Sequence, residues 1–111
     1  MMSITCKQQI IETLATKVMG WHKELHPKDE KDQYGDFVWC DESGEVMALV
    51  YKWNPLKNIS HAFQVLRKLG EYRLYKEDGM PVICVLWERN VLGKGETEEA
   101  AIVDAALKAV A

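Results

Sequence analysis

The strongest constraint on the fold is an uncharged run of six apolar residues, Val82 to Trp87 (VICVLW). It follows an Asp-Gly turn signal and predicts a strand. Because successive side chains of a strand point to opposite faces, a strand that is apolar throughout needs cover on both faces. The stretch from Val46 to Trp53 also carries apolar side chains on both faces. Both segments are therefore predicted to lie between other elements, inside the molecule.

Each of these strands has a partner in a predicted hairpin. The segment 37–40 is joined to 46–53 by a Gly-containing loop, and 72–76 is joined to 81–89 by a loop with an Asp-Gly pair. Both connections are typical of antiparallel hairpins. Residues 28–36 are dominated by charged and turn-forming residues, so this stretch is predicted to be a surface loop.

Three segments carry apolar residues at helical spacing and predict helices. The first covers about residues 5–19, and Gln8 completes a possible capping box at its start. The second follows the Trp53-Asn54-Pro55 segment, and the third runs to the C-terminus. The predicted caps are Thr5 and Gly20 for the first helix, Asn58 and Gly70 for the second, and Thr97 at the start of the third.

The resulting order, α-β-β-α-β-β-α, predicts an α+β fold in a single domain over residues 1–111. A four-stranded, mainly antiparallel sheet covered by helices on both faces would bury both sides of the apolar strands. We therefore expect an α/β/α sandwich.

Charge and hydropathy disfavour two classes of partner. The net charge is -3, and Lys and Arg are scattered singly except at Arg67-Lys68, so no basic stripe predicts nucleic-acid binding. No apolar run approaches the roughly 20 residues that span a bilayer. The N-terminal residues show no signal peptide, so we expect a cytoplasmic protein.

The cysteines and histidines predict no metal or catalytic site. Cys6, Cys40 and Cys84 are odd in number and widely spaced, which is typical of free thiols with a packing role. His22 and His26 stand four apart, a zinc-binding spacing on a helix, but Gly20 should end the helix before them and a surface loop is predicted instead.

Two further patterns suggest chemistry only weakly. His61 could pair with Cys40 or Cys84, yet apolar strands would raise the thiol pKa. The stretch Gly93 to Thr97 leads into a helix N-terminus but lacks the P-loop spacing and is followed by glutamates. We therefore expect no catalytic residue, no metal, no cofactor and no enzyme activity.

The most informative feature of the composition is the presence of four tryptophans in a chain of 111 residues. Trp39 and Trp87 lie within predicted strands and are expected to pack in the core. Trp21 and Trp53 stand at the ends of elements, where amphipathic rings are commonly half exposed and form contacts. Trp21 and Trp53 are therefore candidates for a partner or ligand surface, with plain packing as the equal alternative.

Three segments in order resemble the phage ABA sandwich domain family of small phage and prophage proteins. They are Val18-Met19-Gly20-Trp21 at the end of the first helix, Trp53-Asn54-Pro55 before the second, and the terminal helix 100–109. The resemblance implies a helix-sheet-helix sandwich and a protein of the bacterial host cytoplasm. It brings no established activity.

Binding is therefore the expected mode of action. The first hypothesis is a non-enzymatic accessory protein that binds a host or phage protein and forms a homo-oligomer. The alternative is a protein that sequesters a small molecule, such as a nucleotide signal of host defence, through cationic side chains; an enzyme using His61 or a cysteine ranks third. The candidate binding residues are Trp21, Trp53, Arg67, Lys68, Arg89 and Lys94.

Overall fold

The computed structural model of the protein describes residues 4–26 and 36–110. The predicted loop at 28–36 lies outside the described residues except for Asp36, which begins a strand. Helix α1 covers Ile4–Thr13 and continues as a π-helical turn, Leu14–Val18. The other elements are β1 (His22–His26), β2 (Asp36–Cys40), β3 (Val46–Leu49), α2 (Ile59–Leu69), β4 (Tyr72–Tyr75), β5 (Val82–Leu86), β6 (Val91–Gly95) and α3 (Glu98–Val110).

The strands form two three-stranded antiparallel sheets, sheet A with the order β1-β2-β3 and sheet B with the order β4-β5-β6. The predicted α+β class is confirmed, whereas the prediction of one four-stranded sheet is wrong. The sequence predicts loops where β1 and β6 lie. The sequence of β1, HKELH, is largely polar, and β6 contains two glycines. Each completes a sheet as an outermost strand, where polar residues and glycine are tolerated.

The first helix ends close to the predicted position. In its π-helical turn the Met19 N–H donates to the Leu14 carbonyl at 3.0 Å, and the Trp21 N–H donates to Ala15 at 2.9 Å. Gly20 has a φ of +75°, the left-handed conformation that glycine adopts without strain. The chain thereby turns sharply and places Trp21 in the core. Thr5 lies within α1, not at the predicted cap position.

Helix α2 begins and ends at the predicted caps. The Asn58 carboxamide oxygen accepts hydrogen bonds from the N–H groups of Ser60 at 2.9 Å and His61 at 3.2 Å. Gly70 ends the helix with a φ of +103°. Arg67 and Lys68 lie in the last turn, where positive charge stabilises the helix C-terminus.

Helix α3 packs against sheet B, mainly along β6. The inner face of β5 contributes Val82, Cys84 and Leu86, all buried. A Cβ atom at Gly93 would meet the α3 backbone at Ala101 and Ala105, so glycine is what allows strand and helix to approach so closely.

The predicted burial on both faces is wrong for both apolar segments. Ile83 and Val85, on the outer face of β5, are only partly buried. The second segment is a strand only as far as Leu49, and Val46 and Met47 within it are exposed. Apolar composition therefore overstated how much of each strand the other elements cover.

One hydrophobic core joins these elements. It combines the π-helical turn, Trp39 of sheet A, α2, the inner face of sheet B and α3. None of the described helices is long and apolar enough to cross a membrane.

Candidate functional site

A groove of about 480 Å³ lies between α1 and sheet A. Its volume falls in the range of small-molecule pockets, and its walls combine apolar side chains with a few polar ones. Lys23 crosses the groove, with its Nζ 2.6 Å from Glu12 Oε1 and 5.5 Å from the centre of the Trp39 ring. The residues that line the groove are Gln8, Ile11, Glu12, Lys23, Trp39, Val50, Tyr51, Trp53 and Asn54.

One wall of this groove holds an unsatisfied hydrogen-bond donor. Trp39 is 1% exposed, and no described residue accepts a hydrogen bond from its Nε1. Leaving a buried donor without a partner costs about 1–3 kcal/mol. An acceptor atom of a bound molecule would recover that energy only with a movement of the Trp39 ring that exposes Nε1, because this atom is fully buried.

Trp21 and Trp53 are buried, contrary to the predicted half-exposure. Their ring centres are 5.0 Å apart in an edge-to-face contact, and Trp53 stacks on His61 at 6.1 Å. The Trp53 Nε1–H donates to Gln64 at 2.8 Å. The turn at Gly20 directs the Trp21 ring inward, and the loop before α2 does the same for Trp53. The positions of the element ends in the sequence do not show this direction. Binding roles for Trp21 and Trp53 both stay predictions, and Trp53 is one of the residues that line the groove.

Trp87 is the tryptophan that lies on the surface, with 57% of its area exposed. It was expected in the core as the last residue of an apolar run, but β5 ends at Leu86. The guanidinium of Arg73 lies 6.0 Å from the centre of its ring.

The four cationic candidates do not converge on one site in their described contacts. Arg89 Nε donates to the Leu69 carbonyl at 3.2 Å, which brings Arg89 to the end of α2 that carries Arg67 and Lys68. Lys68 also lines a second pocket, of about 500 Å³, whose other residues include two acids, Asp41 and Glu42.

Lys94 belongs to a different part of the molecule, the outermost strand of sheet B. Its N–H donates to Asp104 of α3 at 2.9 Å. Burial alone would raise the pKa of Asp104, but this hydrogen bond together with the nearby ammonium of Lys108 lowers it below its usual range. Phosphate binding by Arg67, Lys68, Arg89 and Lys94 stays a prediction.

His22, Glu24 and Cys40 come together on sheet A. The predicted surface loop at His22 is wrong, because residues 22–26 form β1 and pair with β2. His22 Nε2 lies 3.1 Å from one Glu24 carboxylate oxygen, and the Cys40 Sγ donates to the other at 3.3 Å. One ligand atom from each residue can be chosen so that all lie within 4.8 Å of one another. This cluster of imidazole, carboxylate and thiol could hold a metal ion.

Sequence reasoning missed this cluster because it compared His22 only with His26, at helical spacing. The alternation His-Lys-Glu-Leu-His is the period of a strand and would have placed His22 and Glu24 on one face. No sequence signal pointed to Cys40, which reaches the cluster through strand pairing. Burial, followed by the hydrogen bond to Glu24 and the charges of Glu24 and Asp41, raises the pKa of the Cys40 thiol.

Cys84 and His61, which lie outside this cluster, show packing roles. Cys40 and Cys84 are both free and buried, as predicted, and burial raises the pKa of Cys84 to about 11. His61 accepts a hydrogen bond from the Asn54 N–H at 2.9 Å on Nδ1 and stacks on Trp53. The side chain of Cys6 lies outside the described residues.

The outer face of sheet B carries large apolar side chains that remain exposed or only partly buried. Leu92, Val85 and Arg73 stand side by side across the three strands. Tyr75, Met80 and Ile83 line a shallow pocket of about 220 Å³ at one end. We call this surface the open face, and its apolar members are Tyr75, Met80, Ile83, Val85, Trp87 and Leu92.

Comparison with known families confirms the family resemblance seen in the sequence. The phage ABA sandwich domain model matches residues 12–107, most of the chain. The protein belongs to this family. Comparison with curated proteins and with solved structures finds no match.

The family match covers most of the features described above. The His22, Glu24 and Cys40 cluster and the whole open face lie inside the phage ABA sandwich domain of this chain. The groove lies partly outside it, because Gln8 and Ile11 precede the matched region.

Proposed function

We propose that this phage ABA sandwich protein acts by binding rather than by catalysis, in the cytoplasm of a bacterial host, and that it forms a homodimer through the open face of sheet B. The observation that supports this is the exposure of large apolar side chains on the outer face of sheet B, where Tyr75 and Leu92 are each 44% exposed, with Met80 and Trp87 exposed beside the ends of β5. Contiguous apolar patches of this kind mark interaction surfaces.

The composition of the open face is that of a protein interface. Aromatic residues, Met and Arg are enriched at interfaces, and Trp87, Tyr75, Met80 and Arg73 represent all of these types. Arg73 lies against the Trp87 ring, so its planar group extends the apolar surface while its charge remains available at the rim.

A second copy of the chain is the occupant that we propose. A twofold interface uses the same patch on both subunits, so two open faces would bury each other. Edge-to-edge pairing through β6 is disfavoured, because the Lys94 N–H is bound to Asp104 and the Leu92 carbonyl accepts from Lys108 Nζ at 3.1 Å. We therefore propose association through the open face rather than through the β6 edge.

Two matched substitutions test the proposal. Leu92→Glu places a charge on the open face, while Leu25→Glu makes the same change on the outermost strand of sheet A; the two leucines are 44% and 55% exposed. We expect light scattering at tens of micromolar to give twice the chain mass of 12.7 kDa for the wild type and Leu25→Glu, and 12.7 kDa for Leu92→Glu. A monomeric wild type, or a Leu92→Glu variant that stays dimeric, would refute the homodimer.

The groove beside α1 supports a second candidate function, the binding of a small molecule. The supporting observation is the groove itself, which Trp39 and Trp53 line together with polar residues that include Lys23 and Gln8. A movement of the Trp39 side chain would expose its Nε1, which has no acceptor among the described residues. A planar organic molecule with a carbonyl or anionic oxygen would suit both the aromatic walls and the donor.

Native mass spectrometry of the protein purified from its host tests this candidate. We expect one bound molecule per chain, released on denaturation, with lower occupancy in Trp39→Phe, which keeps the ring packing but lacks the donor. Leu92→Glu serves as the control for a change far from the groove. Ligand-free wild-type protein, or equal occupancy in Trp39→Phe, would argue against it.

A further inference from the structure

We propose that His22, Glu24 and Cys40 form a binding site for a zinc-like divalent cation. The site lies on sheet A and does not depend on the open face of sheet B or on the homodimer. Each residue supplies a ligand of a different type, namely an imidazole nitrogen, a carboxylate oxygen and a sulfur.

Strand pairing brings the ligands together. His22 is directly opposite Cys40 in the antiparallel register of β1 and β2. Glu24 is two residues along the same strand, so its side chain leaves the sheet on the same face as that of His22. The site is therefore built on paired backbone rather than on a loop, and its ligands begin in approximately the right positions.

The distances are compatible with a single ion. Zinc binds nitrogen and oxygen at about 2.0–2.2 Å and sulfur at about 2.3 Å, so tetrahedral ligand atoms are separated by roughly 3.2–3.8 Å. His22 Nε2 lies 3.1 Å from Glu24 Oε1, and Cys40 Sγ lies 3.3 Å from the other carboxylate oxygen, Oε2. One ligand atom from each residue lies within 4.8 Å of the others, so the ligands must draw together by about 1 Å. Small side-chain rotations would let the three groups converge, since the side chains of His22 and Glu24 are both partly exposed.

The local chemistry favours a cation at this point. A buried thiol here donates to a carboxylate, and Asp41 adds further negative charge nearby. On binding, the Cys40 thiol would lose its proton to solvent and the sulfur would take the metal in its place, so each ion bound releases one proton. Asp41 is not among the residues whose ligand atoms converge. Its Oδ1 accepts from the N–H and hydroxyl of Ser43 and from the N–H of Glu45.

The ligand set selects the metal class. Imidazole and thiolate suit zinc and cobalt, whereas calcium and magnesium prefer oxygen ligands alone. Three protein ligands leave the fourth tetrahedral position to a water molecule, and the partly exposed side chains of His22 and Glu24 leave room for one.

Titration with zinc alone tests the site. The variant Cys6→Ser, Cys84→Ala keeps Cys40 as the sole thiol of the chain. After treatment with a chelator, we expect calorimetry to show one Zn²⁺ per chain with a Kd of about 1 µM or tighter. His22→Gln or Cys40→Ala in this background should weaken binding by at least about tenfold. Leu25→Gln, an uncharged change on the same strand but on its other face, should leave the affinity unchanged.

Cobalt gives an independent readout of the sulfur ligand. We expect Co²⁺ to produce a thiolate charge-transfer band in the near ultraviolet that disappears in Cys40→Ala. If the variant Cys6→Ser, Cys84→Ala does not fold, zinc binding by the wild type is compared with zinc binding by His22→Gln alone. His22 is exposed, so its replacement leaves the core intact. Absence of zinc binding in this range, or equal binding by His22→Gln, overturns the proposal.

Discussion

Strand β6 approaches helix α3 very closely at Gly93, and we expect Gly93→Ala to destabilise the protein by about 3 kcal/mol. A Cβ atom at this position would stand 2.5 Å from the Ala101 carbonyl oxygen and 2.7 Å from the Ala105 Cα. The opposing atoms belong to the backbone of α3, so no rotamer change can relieve the overlap.

The magnitude follows from how far the helix must move. Ordinary van der Waals contact begins at 3.4 Å, so α3 must withdraw from β6 by roughly 1 Å. A gap of this size forfeits a quarter to a half of the dispersion energy of the atoms that face it. The buried side chains of Ala101, Ile102 and Ala105 all lie on this part of α3. The loss therefore belongs at the upper end of the usual range for overpacking, about 1–3 kcal/mol.

Urea unfolding followed by circular dichroism measures this cost, with Gly79→Ala as the matched control. Gly79 has a φ of +76° and no atom within 4 Å of an added Cβ, so that variant suffers only the left-handed backbone penalty of about 1 kcal/mol. A further substitution, Ala105→Gly, should not rescue Gly93→Ala, because the clash involves backbone. If Gly93→Ala is no less stable than Gly79→Ala, the close packing of β6 on α3 is refuted.

Three further predictions concern stability and are measured by urea unfolding. Because burial raises the pKa of Cys84 to about 11, the folded chain keeps a proton that the unfolded chain loses, so stability should fall by about 2 kcal/mol from pH 9 to pH 11. Cys84→Ala should flatten this decline, and an unchanged slope would contradict it. Asn58→Ala removes the cap of α2 and should cost about 1 kcal/mol, whereas Asn58→Asp should retain most of that energy; equal losses would exclude the cap. The pKa of Asp104 is lowered in the folded chain, so its stabilising effect should be present above pH 3.8 and disappear as the pH falls further; Asp104→Asn should lack this acid-dependent loss, and a wild-type profile in that variant would contradict the bonds to Lys94 and Lys108.

Helix positions were predictable because their signals are local. Asn58 and Gly70 bracket α2 in the structure as in the sequence, and Gly20 ends the first helix. Caps and left-handed turns depend on a few neighbouring residues, so the sequence contains the information that specifies them.

Outermost strands were harder to predict. β1 and β6 have weak apolar patterns because each is stabilised by long-range pairing or by close contact with a helix, and not by its own propensity. Missing them produced a four-stranded sheet in place of two sheets, and it also concealed the pairing of His22 with Cys40.

The sequence by itself therefore determined the class, the helices, the hairpins and the family, all of which rest on local patterns and short motifs. Only the tertiary structure decided which tryptophans are buried, because Trp21 and Trp53 are turned inward by their loops while Trp87 lies beyond the end of its strand. Tertiary structure also decided where chemistry is possible, since His22, Glu24 and Cys40 meet through strand register. Register is a property of two distant segments together, and neither segment reveals it alone.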